Sequence, residues 1–128
     1  MRLQAIYATP HQNGNRIDLT WHNPDPTQFP GVRVVRRPGR HPVDPDDGVV
    51  VAEALGLTAA TDQPLKGETV YYYALFPFAA ALPRLYQRDR HNRAAAMATS
   101  PYGHAAQMAR LLPAIYHRYD TMTTDQVA

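Results

Sequence analysis

The chain of 128 residues is long enough for one domain with a short extension and too short for two full domains. It contains no cysteine, which excludes a disulfide framework and a thiolate zinc site, and its formal charge of +2 gives weak support to a nucleic-acid partner. Apolar residues make up 45% of the chain, but 12 prolines interrupt them and favour short strands over long helices. No run of about 18 apolar residues occurs, so neither a membrane span nor a signal peptide is expected.

The first half of the chain predicts four strands separated by turns. Ile17, Leu19 and Trp21 alternate with polar residues, which is the period-2 pattern of a strand with one buried face. Turn-rich segments at residues 11–15 and 42–48 precede the second and the fourth predicted strands, and Pro38-Gly39 ends the third. Three further runs, apolar or β-branched in character, predict the first, third and fourth strands at residues 3–8, 32–37 and 49–53.

The second half predicts three more strands, at residues 58–62, 69–76 and 93–99. Seven short strands with frequent turn signals predict an all-β antiparallel sandwich over residues 1–100. The last two strands are joined by residues 79–92, a longer connection than an ordinary hairpin loop.

A different periodicity begins after residue 100. Five apolar residues lie at the spacing of one helix stripe, namely Met108, Leu111, Leu112, Ile115 and Tyr119. They predict an amphipathic helix over residues 101–120, which Pro113 either kinks or divides into two short pieces, and then a frayed tail over residues 121–128. A short helix of this kind needs a surface to cover its apolar stripe, and that surface is either its own sandwich or another subunit.

The strand pattern resembles the fibronectin type III family. In that family a tryptophan ends the second strand, and this chain has Leu19-Thr20-Trp21 at that place. The sixth strand of the family opens with a tyrosine that follows a leucine by six residues, and here Tyr71 follows Leu65 at that spacing. The resemblance implies a seven-stranded sandwich with Leu19, Trp21, Leu65 and Tyr71 in its structural core. It also implies that the Tyr71 hydroxyl bonds to backbone in the preceding turn, which is called a tyrosine corner.

More narrowly, the chain is similar to fibronectin-like domains of phage tails and contractile injection systems. Those domains carry a Trp-x-Asn-Pro segment, a Pro-Gly-Val-Arg-Val-Val-Arg-Arg segment and a Pro-Asp-Asp-Gly turn, which stand here at residues 21–24, 30–37 and 45–48. Residues 111–118 look like the signature that begins a P2-type phage tail baseplate protein. The resemblance implies a non-enzymatic adaptor assembled in the host cytoplasm into the tail of the virion, with tail or baseplate proteins or further copies of itself as partners.

The long connection carries the residues with the strongest interface character, which are Arg84, Leu85, Tyr86, Arg88 and Arg90. Arginine and tyrosine together favour a protein interface, because planar groups give contact area and hydrogen bonds at low entropic cost. Phosphate contacts and base stacking could use the same residues. A third interpretation is a solvated loop whose Leu85 and Tyr86 fold back on the edge of the sandwich.

Other chemistry has little support in the sequence. No nucleophile elbow, phosphate-binding glycine loop or paired histidine spacing occurs, so no catalytic residue and no cofactor is predicted. Asp44, Asp46 and Asp47 lack the fuller calcium-loop pattern and are typical of a turn.

The alternative function is a carbohydrate-binding module, in which Trp21 and the tyrosines at residues 71–73 would stack on sugar rings. Alternation places Tyr72 on the face opposite the other two tyrosines.

Overall fold

The computed structural model describes residues 1–99, so the predicted helix with its apolar stripe and the tail lie outside the described residues. The described chain is all-β, as predicted, and has seven strands. They are β1 Gln4–Pro10, β2 Ile17–His22, β3 Gly31–Pro38, β4 Val49–Leu55, β5 Ala59–Asp62, β6 Val70–Phe78 and β7 Arg93–Met97. Within this part there is no helix that is long and apolar enough to cross a membrane.

The strands form two antiparallel sheets. One has the order β1-β2-β5 and the other has the order β4-β3-β6-β7. The fourth strand therefore pairs with the third, with Arg33 opposite Glu53 and Val34 opposite Ala52. A register shift between Val34 and Val35 interrupts this pairing.

Strand β6 runs two residues further than the sequence predicts and includes Pro77. Proline cannot donate to a sheet, so its place inside a strand requires a structural reason. In the structure β7 begins opposite Ala74, so beyond that residue β3 is the one strand paired with β6, and the loop of residues 79–92 contacts the other side of β6 through Tyr86 and Gln87. Proline is tolerated in a strand at a position where no second strand requires its N–H, and Pro77 lies beyond the end of the β7 pairing.

The core lies between the two sheets. It is built from buried residues of both sheets and of the segments that adjoin their strands, namely Leu3, Ile17, Leu19, Trp21, Val32, Val34, Leu65, Tyr73, Leu75 and Ala98. Leu19, Trp21 and Leu65, which the sequence analysis placed in the core, are buried there, and Tyr71 packs half-buried at its margin. Each large aliphatic or aromatic side chain of this kind contributes about 1.5–3 kcal/mol by leaving water.

Polar contacts close one end of the core. The buried Tyr73 hydroxyl donates to Asp62 Oδ2 at 2.7 Å, and Arg36 donates to Asp62 Oδ1 at 2.7 Å. These bonds join β5 in one sheet to β3 and β6 in the other. At the same end the backbone N–H of Lys66 donates to the Tyr71 hydroxyl at 3.0 Å, which is the contact with the preceding turn that a tyrosine corner requires.

Candidate interaction surface on the outer sheet face

The loop of residues 79–92 folds back over the outer face of the four-stranded sheet. Val35, Ala74 and Phe76 are buried there, and Tyr86 packs against them. Tyr86 also forms an isolated antiparallel bridge with Phe78, and the N–H of Gln87 donates to the Pro77 carbonyl at 2.7 Å. The middle of the loop is therefore held against β6.

A glycine makes room for this arrangement. A Cβ atom on Gly31 would lie 2.2 Å from the Phe78 ring, so the ring occupies the space that a side chain would fill. The Phe78 ring meets the Tyr86 ring edge-on at 5.4 Å, and the Arg84 guanidinium lies 4.5 Å from the Phe78 ring centre. Stacking of this kind suits arginine, whose planar cation is attracted to the ring face.

Three side chains meet around the Glu53 carboxylate, and we call Arg33, Glu53, Arg84 and Tyr86 the Glu53 cluster. Arg33 Nε donates to Glu53 Oε1, while Arg84 and the Tyr86 hydroxyl donate to Oε2. The Arg33 guanidinium also lies 4.6 Å from the Tyr86 ring centre. The cluster connects two neighbouring strands, β3 and β4, to the loop.

The electrostatics of the cluster keep Glu53 ionised. Burial alone would raise the pKa of the Glu53 carboxyl, but hydrogen bonds from Tyr86, Arg33 and Arg84 lower it below its ordinary value. Burial and the bond to Glu53 raise the pKa of the Tyr86 hydroxyl. A carboxylate with three charge-assisted or hydroxyl donors is a strong attachment point for a loop.

The loop residues singled out from the sequence separate into two groups. Arg84 and Tyr86 are used within the domain by the Glu53 cluster, whereas Leu85 between them is 72% exposed. Arg88 and Arg90 are exposed as well. Tyr86 therefore folds back on the sheet, as the third interpretation of the loop expects, whereas Leu85 does not.

Sequence reasoning missed one exposed residue of the loop. Leu82 is 81% exposed, the largest fraction among the exposed large apolar side chains of residues 1–99. Leu82 stands beside Pro83 in a loop, which the sequence shows. Whether the Leu82 side chain is exposed depends on where the Glu53 cluster holds the residues that follow it. Leu82 and Leu85 are the exposed large apolar side chains of this loop.

The aspartate-rich turn serves arginines of its own chain. Asp47 accepts hydrogen bonds from Arg37 at 2.7 Å, from Arg40 at 2.6 Å and from the N–H of Val43 at 2.9 Å. The bonds from Arg40 and Val43 lower the pKa of Asp47 to about 2. Residues 1–99 contain no group of three or more side chains suited to hold a metal ion.

The carbohydrate alternative depends on an exposed aromatic platform. Tyr72 is half-buried, and its ring meets the His41 ring edge-on at 5.0 Å. Trp21 and Tyr73 belong to the inter-sheet core. The aromatic residues named from the sequence therefore do not form one exposed platform.

This chain is similar to known proteins in its fold alone. No protein-family model matches the chain, and no curated protein matches it. A solved structure described as a myokine superposes with a TM-score of 0.52 at 8% identity, covering 77% of this chain and 96% of the other. A β-1,2-glucanase from Parabacteroides distasonis gives a TM-score of 0.47 at 18% identity, covering 91% of this chain and 16% of the glucanase chain. At 8% identity, the superposition on the first of these structures shows a similar fold and transfers no activity.

Proposed function

We propose that the chain is a fibronectin-type-III-like binding module that acts as a structural adaptor in a phage tail or tail-like particle and carries out no chemistry of its own. Two contacts support the fibronectin-type assignment: Trp21 packs in the core from the second strand, and Tyr71 accepts the Lys66 N–H. In a constant-type immunoglobulin sandwich the fourth strand pairs with the fifth, whereas β4 pairs with β3 here.

The observation that carries the binding role is the exposure of two leucines on an attached loop. Leu82 is 81% exposed and Leu85 is 72% exposed, although the residues beside Leu85 are bonded to Glu53. A large apolar side chain that is exposed on an attached loop offers apolar surface that a partner protein can bury. Because the loop is already ordered, less conformational entropy is lost when a partner covers it.

The tail assignment is supported by sequence motifs. The segments at residues 21–24, 30–37 and 45–48 are similar to those of tail-associated fibronectin-like domains, and residues 111–118 resemble the start of a baseplate protein. A small sandwich with an extension of this kind suits a connector between larger subunits. Protein contacts rather than catalysis would then be its contribution to the particle.

Particle incorporation tests this function. The full chain, carrying an epitope tag, is expressed in cells that produce the tail particle, and purified particles are probed for the tag after gradient centrifugation. We expect the native chain to sediment with the particles and Leu85→Asp to remain at the top of the gradient, since a carboxylate there cannot be buried without a partner.

The matched control is Leu55→Asp. Leu55 is 54% exposed and lies on strand β4 rather than on the loop. We expect this variant to sediment with the particles as the native chain does. A native chain absent from particles would overturn the tail assignment, and equal loss with both variants would overturn the role of the loop.

A further inference from the structure

The arginines of the domain fall into two groups by their partners. Six of the ten arginines in residues 1–99 form ion pairs with a carboxylate of the chain, namely Arg16, Arg33, Arg36, Arg37, Arg40 and Arg84. The other four have no ion-pair partner within the described part, and they are Arg2, Arg88, Arg90 and Arg93. Since most arginines here are neutralised within the chain, the position of these four is informative.

The four converge on one region. Arg88, Arg90 and Arg93 line a cleft of about 280 Å³, which we call the arginine cleft. Arg93 also lines an adjoining, wider depression together with Arg2. Three of the four come from the last residues of the loop and the first residue of β7, so the loop that covers the sheet also gathers these charges.

The cleft combines cationic and apolar lining. Pro42, Val43 and Phe76 also line it, and Val43 is 64% exposed. One carboxylate, Asp89, lies among the arginines, but it accepts hydrogen bonds from the N–H and the ring Nδ1 of His91 at 2.9 and 3.0 Å. Three guanidinium groups against one occupied carboxylate leave the cleft with a net positive charge.

We propose that the arginine cleft binds a carboxylate-bearing, partly apolar segment of a partner protein. Guanidinium groups recognise carboxylates through paired N–H donors, and the apolar lining offers a place for an aliphatic side chain of the same segment. Charge complementarity selects this occupant, since no carboxylate in the described part of the chain forms an ion pair with these arginines and Asp89 is bonded to His91. The inference concerns a surface separate from Leu82 and Leu85 and holds whether or not the chain belongs to a tail.

A nucleic acid fits the cleft less well. Binding to single strands without sequence preference uses a charged groove several nucleotides long with aromatic rings for base stacking. The arginine cleft is short, and the aromatic residue that lines it, Phe76, is buried. A single-stranded oligonucleotide is therefore the competitor to include in the test.

The test measures binding of three fluorescein-labelled probes to the full chain by anisotropy: an eight-residue peptide of alternating glutamate and leucine, its glutamine counterpart, and oligothymidylate. We expect the acidic peptide to bind most tightly and the R88Q R90Q variant to weaken it about tenfold, as the loss of two charge-assisted contacts implies. The matched control, R16Q K66Q, removes two positive charges from positions that do not line the cleft and should change affinity less than about twofold.

Other results would overturn the proposal. Equal weakening by the two double variants would show attraction to overall charge, and tighter binding of oligothymidylate than of the acidic peptide would show a nucleic-acid surface. Failure of the native chain to discriminate the acidic peptide from its glutamine counterpart would also reject it. Circular dichroism melting of each variant confirms that the compared proteins are folded.

Discussion

Glu53 is the residue that attaches the loop of residues 79–92 to the sheet. Its two carboxylate oxygens accept from Arg33, Arg84 and Tyr86, and its side chain is 14% exposed. Removing its charge leaves Arg33, which is 18% exposed, with a weaker partner. The same carboxylate thus determines which loop residues face the sheet and which face solvent.

We expect Glu53→Gln to lower the free energy of unfolding by about 2 kcal/mol, because a half-buried guanidinium loses its ionised acceptor. Amide exchange of residues 84–87 should accelerate in the same variant. Urea titration and hydrogen exchange measure the two effects.

The matched control for Glu53 is Asp46→Asn, since Asp46 also contacts Arg33 but its side chain is 92% exposed. Its effect should stay within about 0.5 kcal/mol. Equal effects of Glu53→Gln and Asp46→Asn would contradict the attachment role of Glu53.

The three consecutive tyrosines provide a second test with internal controls. Tyr73→Phe removes a buried donor to Asp62 and should cost about 1–3 kcal/mol. Tyr71→Phe removes the acceptor of the Lys66 N–H in a more exposed place and should cost about 0.5–1.5 kcal/mol. Tyr72→Phe, whose hydroxyl makes no hydrogen bond within residues 1–99, should be near neutral by urea titration. A different ranking would mean that the hydroxyl contacts do not stabilise the fold.

At the scale of elements, β3 and β6 pack together through a glycine, Gly31, which has no side chain. Gly31 begins β3, and the Phe78 ring at the end of β6 fills the space beside it. The Phe78 ring in turn contacts the Arg84 guanidinium and the Tyr86 ring. The strand pair therefore shapes the surface on which the loop rests.

Gly31→Ala should displace the Phe78 ring, because the added Cβ would lie 2.2 Å from it. We expect destabilisation of about 1–3 kcal/mol, as for other overpacked sites, together with faster amide exchange in residues 84–87. Gly39→Ala is the comparison, since its φ of 85° is strained for alanine but nothing lies within 4 Å of the new Cβ. Unchanged loop exchange in Gly31→Ala would contradict this dependence.

At the scale of the whole molecule, ion pairs set the response to acid. The pKa values of Asp47 and Glu53 lie below their ordinary values of 3.8 and 4.5, the former at about 2. A carboxyl whose pKa is lower in the folded than in the unfolded state stabilises the fold above its unfolded pKa. That contribution is lost as pH falls through the folded pKa.

We therefore expect the melting temperature to fall slightly between pH 7 and pH 5, because burial lowers the pKa of His41 in the folded state, and to fall more steeply from about pH 4 toward pH 2. The D47N E53Q variant should melt lower at pH 7 but show a shallower fall. Thermal unfolding followed by circular dichroism at each pH checks both. An identical slope for the variant and the native chain would show that other groups govern acid unfolding.

Strand positions were largely predictable because the pattern that specifies a strand is local. Ile17, Leu19 and Trp21 alternate within five residues, and they form β2 as expected. The end of β6 was not predictable, since whether Pro77 can remain in a strand depends on where β7 begins. For the candidate surface, the sequence indicated the loop and its arginines but missed Leu82.

The sequence by itself determined an all-β domain of seven strands and the chemical character of its longest connection. Only the tertiary structure decided which arginines are neutralised and which side chains face solvent. Arg84 meets Glu53 across 31 residues of sequence because both lie over the same sheet. Periodicity carries information over a few neighbouring residues, whereas ion pairing depends on elements brought together by folding. For this reason Arg88, Arg90 and Arg93 emerge as an unneutralised group only in three dimensions.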